Sequence, residues 1–214
     1  MLRRLVHSYV RRNRLRKAAL LRALIEEFGA QSALLVGVES ADFAWSNIVE
    51  RAVIESVPHT VATGLGPKIG VAEREVLCDG RRLPFRDGSF DLVISNAVVE
   101  HVGDEADQIE FVNEHHRSGR AFVLTTPNLL FPVESHTQVP FLHWLPAWRS
   151  RHTEEFTRLL TRRGLKHLVP SNDTEIRGRI WSPSFVAIHR CTTTCKPADR
   201  APANSLVTPI EGGG

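Results

Sequence analysis

The chain has 214 residues, of which 42% are hydrophobic and 24% are charged, and its formal net charge is +3. This length fits one domain of roughly 100 to 200 residues with short additions, and the composition excludes a disordered chain. No apolar run approaches the roughly 18 to 20 residues that a membrane-spanning helix needs.

The positive charge is concentrated at the beginning of the chain. Residues 1–22 contain eight arginine and lysine residues and no acid, whereas the rest of the chain has 19 basic and 24 acidic residues. Because the body of the protein is acidic, we do not expect nucleic acid as a partner. Residues 1–19 lack the apolar core of a secretory signal, and three cysteines are too few for a disulfide framework. We therefore expect a cytoplasmic protein.

Apolar residues recur at steps of three and four between Leu2 and Phe28 and predict an amphipathic helix that ends near Gly29. One face of this helix is apolar and the other is basic. Two interpretations stay open for the basic face. It is a solvated surface of a helix that packs on the domain, or it contacts an anionic membrane surface or a protein partner. Residues 1–29 are thus predicted as a basic helix ahead of the domain.

From residue 33 onward, short apolar runs alternate with helical stretches. Strands are predicted at 33–38, 60–65, 75–78, 90–95, 120–125, 175–180 and 184–190. Helices are predicted at 41–56, 104–117 and 153–163, the last with Gly164 as its C-cap. This alternation indicates an α/β domain over 30–190 with a doubly wound, mostly parallel sheet. The last two strands form an antiparallel pair, since their connection is too short for a crossover.

The last segment of the chain, 191–214, is rich in threonine, proline and glycine and is predicted to be a disordered tail. Cys191 and Cys195 lie in it without a nearby histidine or a second cysteine pair. We therefore expect no metal site there.

Residues 78–102 form the most informative stretch and read C-D-G-R-R-L-P-F-R-D-G-S-F-D-L-V-I-S-N-A-V-V-E-H-V. This stretch resembles the class I S-adenosylmethionine (SAM) dependent methyltransferases of the type 11 group. In that family an acid, a small residue and the pattern L-P-F-x-D-x-S-F-D lead from the third strand into the fourth. Residues 125–146 resemble the region after the fifth strand in one bacterial subgroup. The resemblance covers about 30–190 and implies a single Rossmann-like methyltransferase sheet with SAM as cofactor.

The resemblance also implies which residues bind the cofactor. Asp79 is placed to accept a hydrogen bond from the adenine amine, and Gly80 lets the backbone approach the ring. Asn96 takes the position beside the methionyl part of SAM.

The first motif of the family departs from its usual apolar-apolar-acidic-apolar-G-x-G-x-G pattern. Here 34–41 read L-L-V-G-V-E-S-A, so that only Gly37 survives and Glu39 stands where a glycine is expected. The Glu39 carboxylate would repel the carboxylate of the cofactor or pair with its ammonium. The second strand also ends without the acid that normally binds the ribose.

Two histidines, His101 and His136, are candidate catalytic bases because imidazole titrates near neutral pH. The segment 129–148 is rich in aromatic residues and poor in charge, which indicates a lid or an acceptor pocket. Its candidate pocket residues are Phe131, His136, Phe141, His143 and Trp144. Two alternatives stay open: a satellite core under a surface loop, or a surface that faces a membrane together with the basic helix.

These observations predict a SAM-dependent methyltransferase that acts on a small or lipid-like acceptor. The alternative is a catalytically impaired, methyltransferase-like protein that binds a partner, because glycines and the ribose-binding acid are missing. In either case a contact of the basic helix with a protein or with the membrane periphery stays open beside the solvated interpretation.

Overall fold

The computed structural model describes residues 2–38, 47–66, 71–133, 139–151, 158–170 and 172–190, with side chains from residue 8 onward. Its strands are β1 Ser32–Val36, β2 His59–Gly64, β3 Arg74–Leu77, β4 Phe90–Asn96, β5 Gly119–Pro127, β6 Thr174–Arg177 and β7 Ser184–Arg190. They form one sheet in the order β3-β2-β1-β4-β5-β7-β6. Strands β1 to β5 are parallel, whereas β7 runs antiparallel to both β5 and β6. The predicted sheet, with its antiparallel terminal pair, is confirmed.

Helices cover both faces of this sheet. They are α1 Leu2–Phe28, α2 Ile48–Ser56, α3 Glu105–Ser118, α4 Pro146–Arg149 and α5 Arg162–Leu168, with short 3₁₀ turns at Val99–His101 and Leu142–Trp144. On one face, α1 and α2 pack against the side chains of Leu35, Ile94 and Val123. On the other face, α3 and α5 pack against a second apolar layer that includes Phe122. Burial of the central strands on both faces explains their nearly continuous apolar runs.

The helix predicted at 153–163 is wrong at residues 158–161, which are not helical, whereas 162 and 163 begin the helix α5. Leu160 instead forms a bridge with Asn128, and its carbonyl accepts from the backbone N–H of Leu129 at 3.0 Å. The helix α5 begins only afterwards, because the Thr161 hydroxyl accepts from the N–H of Gly164 and caps the first turn. Gly164 therefore lies inside a helix and does not end one. Residues 152–157 lie outside the described part.

The first helix is much longer than the strands on which it packs. Leu21, Leu24 and Ile25 of α1 are buried on the sheet, so this helix is part of the core of the domain. The chain reverses direction at Gly29, whose φ is +58°, so that α1 runs back along β1. A helix of 27 residues is about 40 Å long, which exceeds the length of the strands. The N-terminal half of α1 therefore extends past the end of β1.

Candidate functional site

The predicted site residues lie where the parallel strands end, and we call this side of the sheet the carboxyl edge. Gly37 follows β1, Asn96 is the last residue of β4, and Asp79 lies two residues after β3. Parallel pairing of β1 with β2 and β4 brings these ends to the same side of the molecule. Open α/β sheets bind their ligands at this edge.

A cluster of polar side chains fills the space between the ends of β4 and β5, and we call it the Lys17 cluster. The Lys17 ammonium of α1 donates to Asn96 Oδ1 at 3.2 Å and to Thr125 Oγ1 at 3.3 Å. The Thr125 hydroxyl donates to the same Asn96 oxygen at 2.7 Å. On the other side, Asn96 Nδ2 donates to Glu50 Oε1 of α2 at 3.0 Å. Four distant parts of the chain thus meet at one point of the carboxyl edge.

The charges of this cluster are largely removed from water. Part of the Lys17 stem stays exposed, but its ammonium is enclosed, and burial lowers the pKa of Lys17 to about 8 although Glu100 and Glu50 favour the charged form. Burial also raises the pKa of Glu50. Among the described residues, Glu50 Oε2 and Asn47 Nδ2 are buried without a hydrogen-bond partner. The cluster therefore offers a cation, a carboxylate and spare hydrogen-bonding capacity side by side.

Asp79 lies at the carboxyl edge as predicted, but its carboxylate already has a partner. Arg81 Nη2 donates to Asp79 Oδ2 at 2.6 Å, and the backbone N–H of Arg81 donates to Asp79 Oδ1 at 2.9 Å. Arg81 also pairs with Asp107 of α3. The hydrogen bond from Arg81 holds the pKa of Asp79 below its usual range, so this carboxylate is ionised at neutral pH.

The two predicted glycines are explained by packing. At Gly37 φ is +75°, and an added Cβ would lie 2.4 Å from Val98 Cγ1, so only glycine fits there. At Gly80 an added Cβ would lie 2.5 Å from a ring carbon of Phe111 and 2.9 Å from Val36 Cγ1. A contact of Gly80 with adenine stays a prediction.

The histidine candidates are not brought together by the described part of the chain. His101 is exposed in the 3₁₀ turn that follows β4. His143 is buried, and its Nε2 lies 3.1 Å from the carbonyl of Leu129, a contact that fixes the segment. Glu39 and His136 lie outside the described residues, so their predicted roles are untested.

The aromatic candidates surround the carboxyl edge beyond β5. The ring of Phe131 stacks on Tyr9 of α1 at a centroid distance of 5.7 Å, with an angle of 9° between the ring planes. Phe141 and Trp144 pack edge to face at 5.2 Å, and they are 55% and 41% exposed. The N-terminal half of α1 and the aromatic segment therefore form one wall above the sheet.

Sequence reasoning missed Lys17, Glu50 and Thr125. A signal was present for Lys17, which shares the apolar stripe of its helix with Leu21, Leu24 and Phe28 at steps of four, three and four. A charge on such a stripe is buried when the stripe packs. The prediction instead grouped Lys17 with the basic residues of the exposed face.

Residues 54–121 match the family model of the methyltransferase domain, which spans about a third of the chain. The fold resembles a SAM-dependent methyltransferase from Thermotoga maritima, with a TM-score of 0.60 and 12% identity, covering 88% of this chain and 96% of that one. A SAM-dependent methyltransferase from Archaeoglobus fulgidus gives 0.53 and 13%, covering 80% and 93%. These matches confirm the resemblance carried by residues 78–102.

A Bacillus halodurans protein of proposed methyltransferase activity gives a TM-score of 0.50 and 17% identity, covering 69% of this chain and 64% of that one. This chain therefore spans less than two thirds of that relative. No curated protein matches the sequence. Among the described residues, no helix is long and apolar enough to cross a membrane, and no group of three His, Cys, Asp or Glu side chains is placed to hold a metal ion.

Proposed function

Because this chain has the class I methyltransferase fold and a matching methyltransferase domain, we propose that it binds SAM and transfers the methyl group to an acceptor. The observation that carries this proposal is the set of groups at the carboxyl edge. Asp79 is a carboxylate beyond β3, and the Lys17 cluster presents both signs of charge beyond β4. SAM has complementary groups at its two ends, an adenine amine and a zwitterionic amino acid.

The residues present fit this cofactor at both ends. Asp79 would accept from the adenine amine while it remains paired with Arg81, because an ionised carboxylate has several acceptor sites. The free oxygen of Glu50 would accept from the ammonium of the cofactor, and Lys17 would donate to its carboxylate.

The described residues offer fewer contacts for the ribose of the cofactor than for its two ends. The described end of β2 reads Thr63, Gly64, Leu65 and Gly66 and has no acid for the ribose hydroxyls. Loss of one charged hydrogen bond costs about 1.5 to 3 kcal/mol, roughly a ten- to hundredfold change in affinity. We therefore expect weaker cofactor binding than the complete motif would give.

When bound, the cofactor supplies a methyl group on a positively charged sulfur, which an acceptor can attack directly. The protein accordingly has to position two molecules and exclude water, and positioning alone can supply much of the acceleration. The wall formed by Tyr9 and Phe131 would cover the acceptor, and His101 or His136 would accept a proton where the acceptor carries one.

The acceptor is proposed to be a small or lipid-like molecule. Its pocket would lie beside the aromatic segment, where Phe131 contacts α1 and where Phe141 and Trp144 keep exposed faces. Apolar walls of this kind bind a molecule with a substantial apolar surface.

Isothermal titration of the full chain with SAM and S-adenosylhomocysteine tests the cofactor claim. We expect saturable binding that weakens at least tenfold in Asp79→Asn, since the adenine amine then loses a charged acceptor. Asp87→Asn is the matched control, because Asp87 also pairs with an arginine but is exposed at the opposite edge of the sheet. Absence of binding at millimolar ligand would overturn the proposal.

A second candidate is a methyltransferase-like protein that binds a partner without catalysis. The occupation of Asp79 by Arg81 and the missing ribose acid favour it. It predicts no SAM-dependent methylation by the purified chain, whether or not the titration detects bound cofactor. A methylation assay with the purified chain therefore separates the two functions.

A further inference from the structure

The exposed apolar side chains of this protein are concentrated on one side. Of the large hydrophobic residues in the described part, nine are more than a third exposed: Leu15, Leu65, Leu77, Leu130, Phe141, Trp144, Leu145, Ile180 and Trp181. Leu65 and Leu77 lie at the ends of β2 and β3, and Leu15 lies on α1. The other six follow β5 or connect β6 to β7.

These six residues belong to one region of the carboxyl edge, which we call the edge patch (Leu130, Phe141, Trp144, Leu145, Ile180 and Trp181). The turn that contains Ile180 is tied to the end of β5, because Asn128 Nδ2 donates to the carbonyls of Ile180 and Ser182 at 2.7 and 2.9 Å. The other four residues of the patch come from the segment directly after Asn128.

The fold holds the edge patch outward. Trp144 is anchored by its indole N–H, which donates to the Leu129 carbonyl at 3.0 Å, yet 41% of the residue is exposed. Phe141 adopts a φ of +64°, which is rare for a bulky residue, and is 55% exposed. Residues in this conformation cluster at functional and ligand-binding segments, so it marks the segment as a candidate contact surface.

In the described part of the chain, several arginines lie beside the edge patch. The described residues between 128 and 151 contain no acid and include Arg149 and Arg151, and Arg179 precedes Ile180. On α1, Arg11, Arg12 and Arg16 are exposed together with Leu15. Exposed Trp, Phe and Leu among arginines are typical of surfaces that bind anionic lipid interfaces. Aliphatic residues such as Leu145 and Ile180 have no comparable use in contacts with nucleic acid.

We propose that the edge patch and the arginines beside it dock on the surface of an anionic lipid bilayer. Docking turns the carboxyl edge, and with it the proposed acceptor side, toward the lipid. The binding itself does not depend on the proposed methyl transfer. The consequence for the acceptor, a molecule taken from the lipid or from its surface, rests on the proposed function.

Co-sedimentation of the full chain with vesicles tests this docking. We expect binding to phosphatidylcholine vesicles that contain about 30% phosphatidylglycerol, little binding to pure phosphatidylcholine, and release by salt, because the attraction is partly electrostatic. The variant R11Q/R12Q/R16Q should bind on the order of 100-fold more weakly, since each arginine near an anionic surface contributes about a fivefold factor.

The matched control is R22Q/R86Q/K166Q, which removes the same charge from exposed positions over the body and the opposite edge of the sheet. The control should bind as the unaltered chain does, whereas W144S/W181S should weaken binding without changing its salt dependence. Thermal unfolding of each variant verifies that these surface changes leave the fold intact.

Equal binding to both kinds of vesicle, no binding to either, or equal loss in the two charge variants would overturn the inference. Binding of the chain to duplex DNA in place of vesicles would also overturn it. Titration with S-adenosylhomocysteine is independent of these results, so a failure of vesicle binding leaves the cofactor claim standing, and the reverse also holds.

Discussion

Lys17 is the residue through which the first helix reaches the candidate site. Its ammonium is held by two oxygens at the ends of β4 and β5, and the carboxylates of Glu50 and Glu100 favour its charged form. A buried cation next to a buried carboxylate is costly unless a ligand or the fold uses both charges. The amino acid part of SAM carries an ammonium and a carboxylate, which would pair with the Glu50 carboxylate and the Lys17 ammonium. We therefore propose that Lys17 contacts this part of the cofactor and not the adenosine.

The substitution Lys17→Met tests whether Lys17 binds the amino acid part of the cofactor. We expect the affinity for S-adenosylhomocysteine to fall about tenfold or more, because a charged hydrogen bond to the carboxylate is lost. Affinity for 5′-methylthioadenosine, which lacks the amino acid, should stay unchanged. Isothermal titration measures both, and Arg16→Met, which changes a neighbouring exposed cation, is the control. An equal loss of affinity for both ligands would show that Lys17 stabilises the fold and does not bind the carboxylate of the cofactor.

The pH dependence of this binding follows from the same residue. Because burial lowers the pKa of Lys17 to about 8, its ammonium is charged below pH 8 and becomes neutral above it. The affinity of the unaltered chain for S-adenosylhomocysteine should therefore decline above pH 8 more steeply than that of Lys17→Met. Titrations at pH 7 and pH 9 measure the difference.

At the level of elements, the strands are predictable because the central strands are buried on both faces and contain nearly continuous apolar runs. The helix over 153–163 follows from local signals, including Gly164 as an expected C-cap. Such signals do not contain the pairing of Leu160 with Asn128 or the capping of the next turn by Thr161. The Lys17 cluster joins α1, α2, β4 and β5, which are far apart in the chain. No local pattern contains that information.

The helix α3 contains a buried histidine that should make the stability of the fold sensitive to acid. His115 is fully buried, its Nδ1 lies 2.7 Å from the Phe111 carbonyl, and burial lowers its pKa to about 4. A histidine with a depressed pKa is neutral in the fold, so the unfolded chain binds its proton more readily as the pH drops below 6.5. The associated stability is present above pH 6.5 and is lost as the pH falls toward 4.

Replacement of His115 by leucine should remove this acid sensitivity. We expect the unaltered chain to lose on the order of 3 kcal/mol of unfolding free energy through this group between pH 6.5 and 4. Denaturant unfolding measured across this range should give a flatter curve for H115L. A parallel decline in both proteins would show that other groups cause the acid sensitivity.

At the level of the whole molecule, the two halves of α1 have different structural roles. The half from Ala18 to Phe28 supplies Leu21, Leu24 and Ile25 to the core, whereas the half before Asn13 lies beyond the sheet and contacts the aromatic segment through Tyr9. The segment 1–29, predicted as one unit ahead of the domain, thus has one part in the core and another part beyond the carboxyl edge.

Removal of residues 1–12 should lower the unfolding free energy by less than Leu24→Ala does, since Tyr9 and Val10 are only half-buried and an aromatic pair contributes about 0.5 to 1.5 kcal/mol beyond its buried area. Leu24→Ala, which leaves a cavity under the other half, should cost about 2 to 5 kcal/mol. Denaturant titration compares the two. A loss for the truncated chain as large as that for Leu24→Ala would contradict the division.

The outermost strands, β3 and β6, have only four residues each. Each carries an arginine and a glutamate, Arg74 with Glu75 and Glu175 with Arg177. Short, charged border strands discourage the backbone of another molecule from adding to a sheet. Crowding of many copies on one lipid patch would therefore not join their sheets into a continuous β-structure, and self-association would have to use another surface.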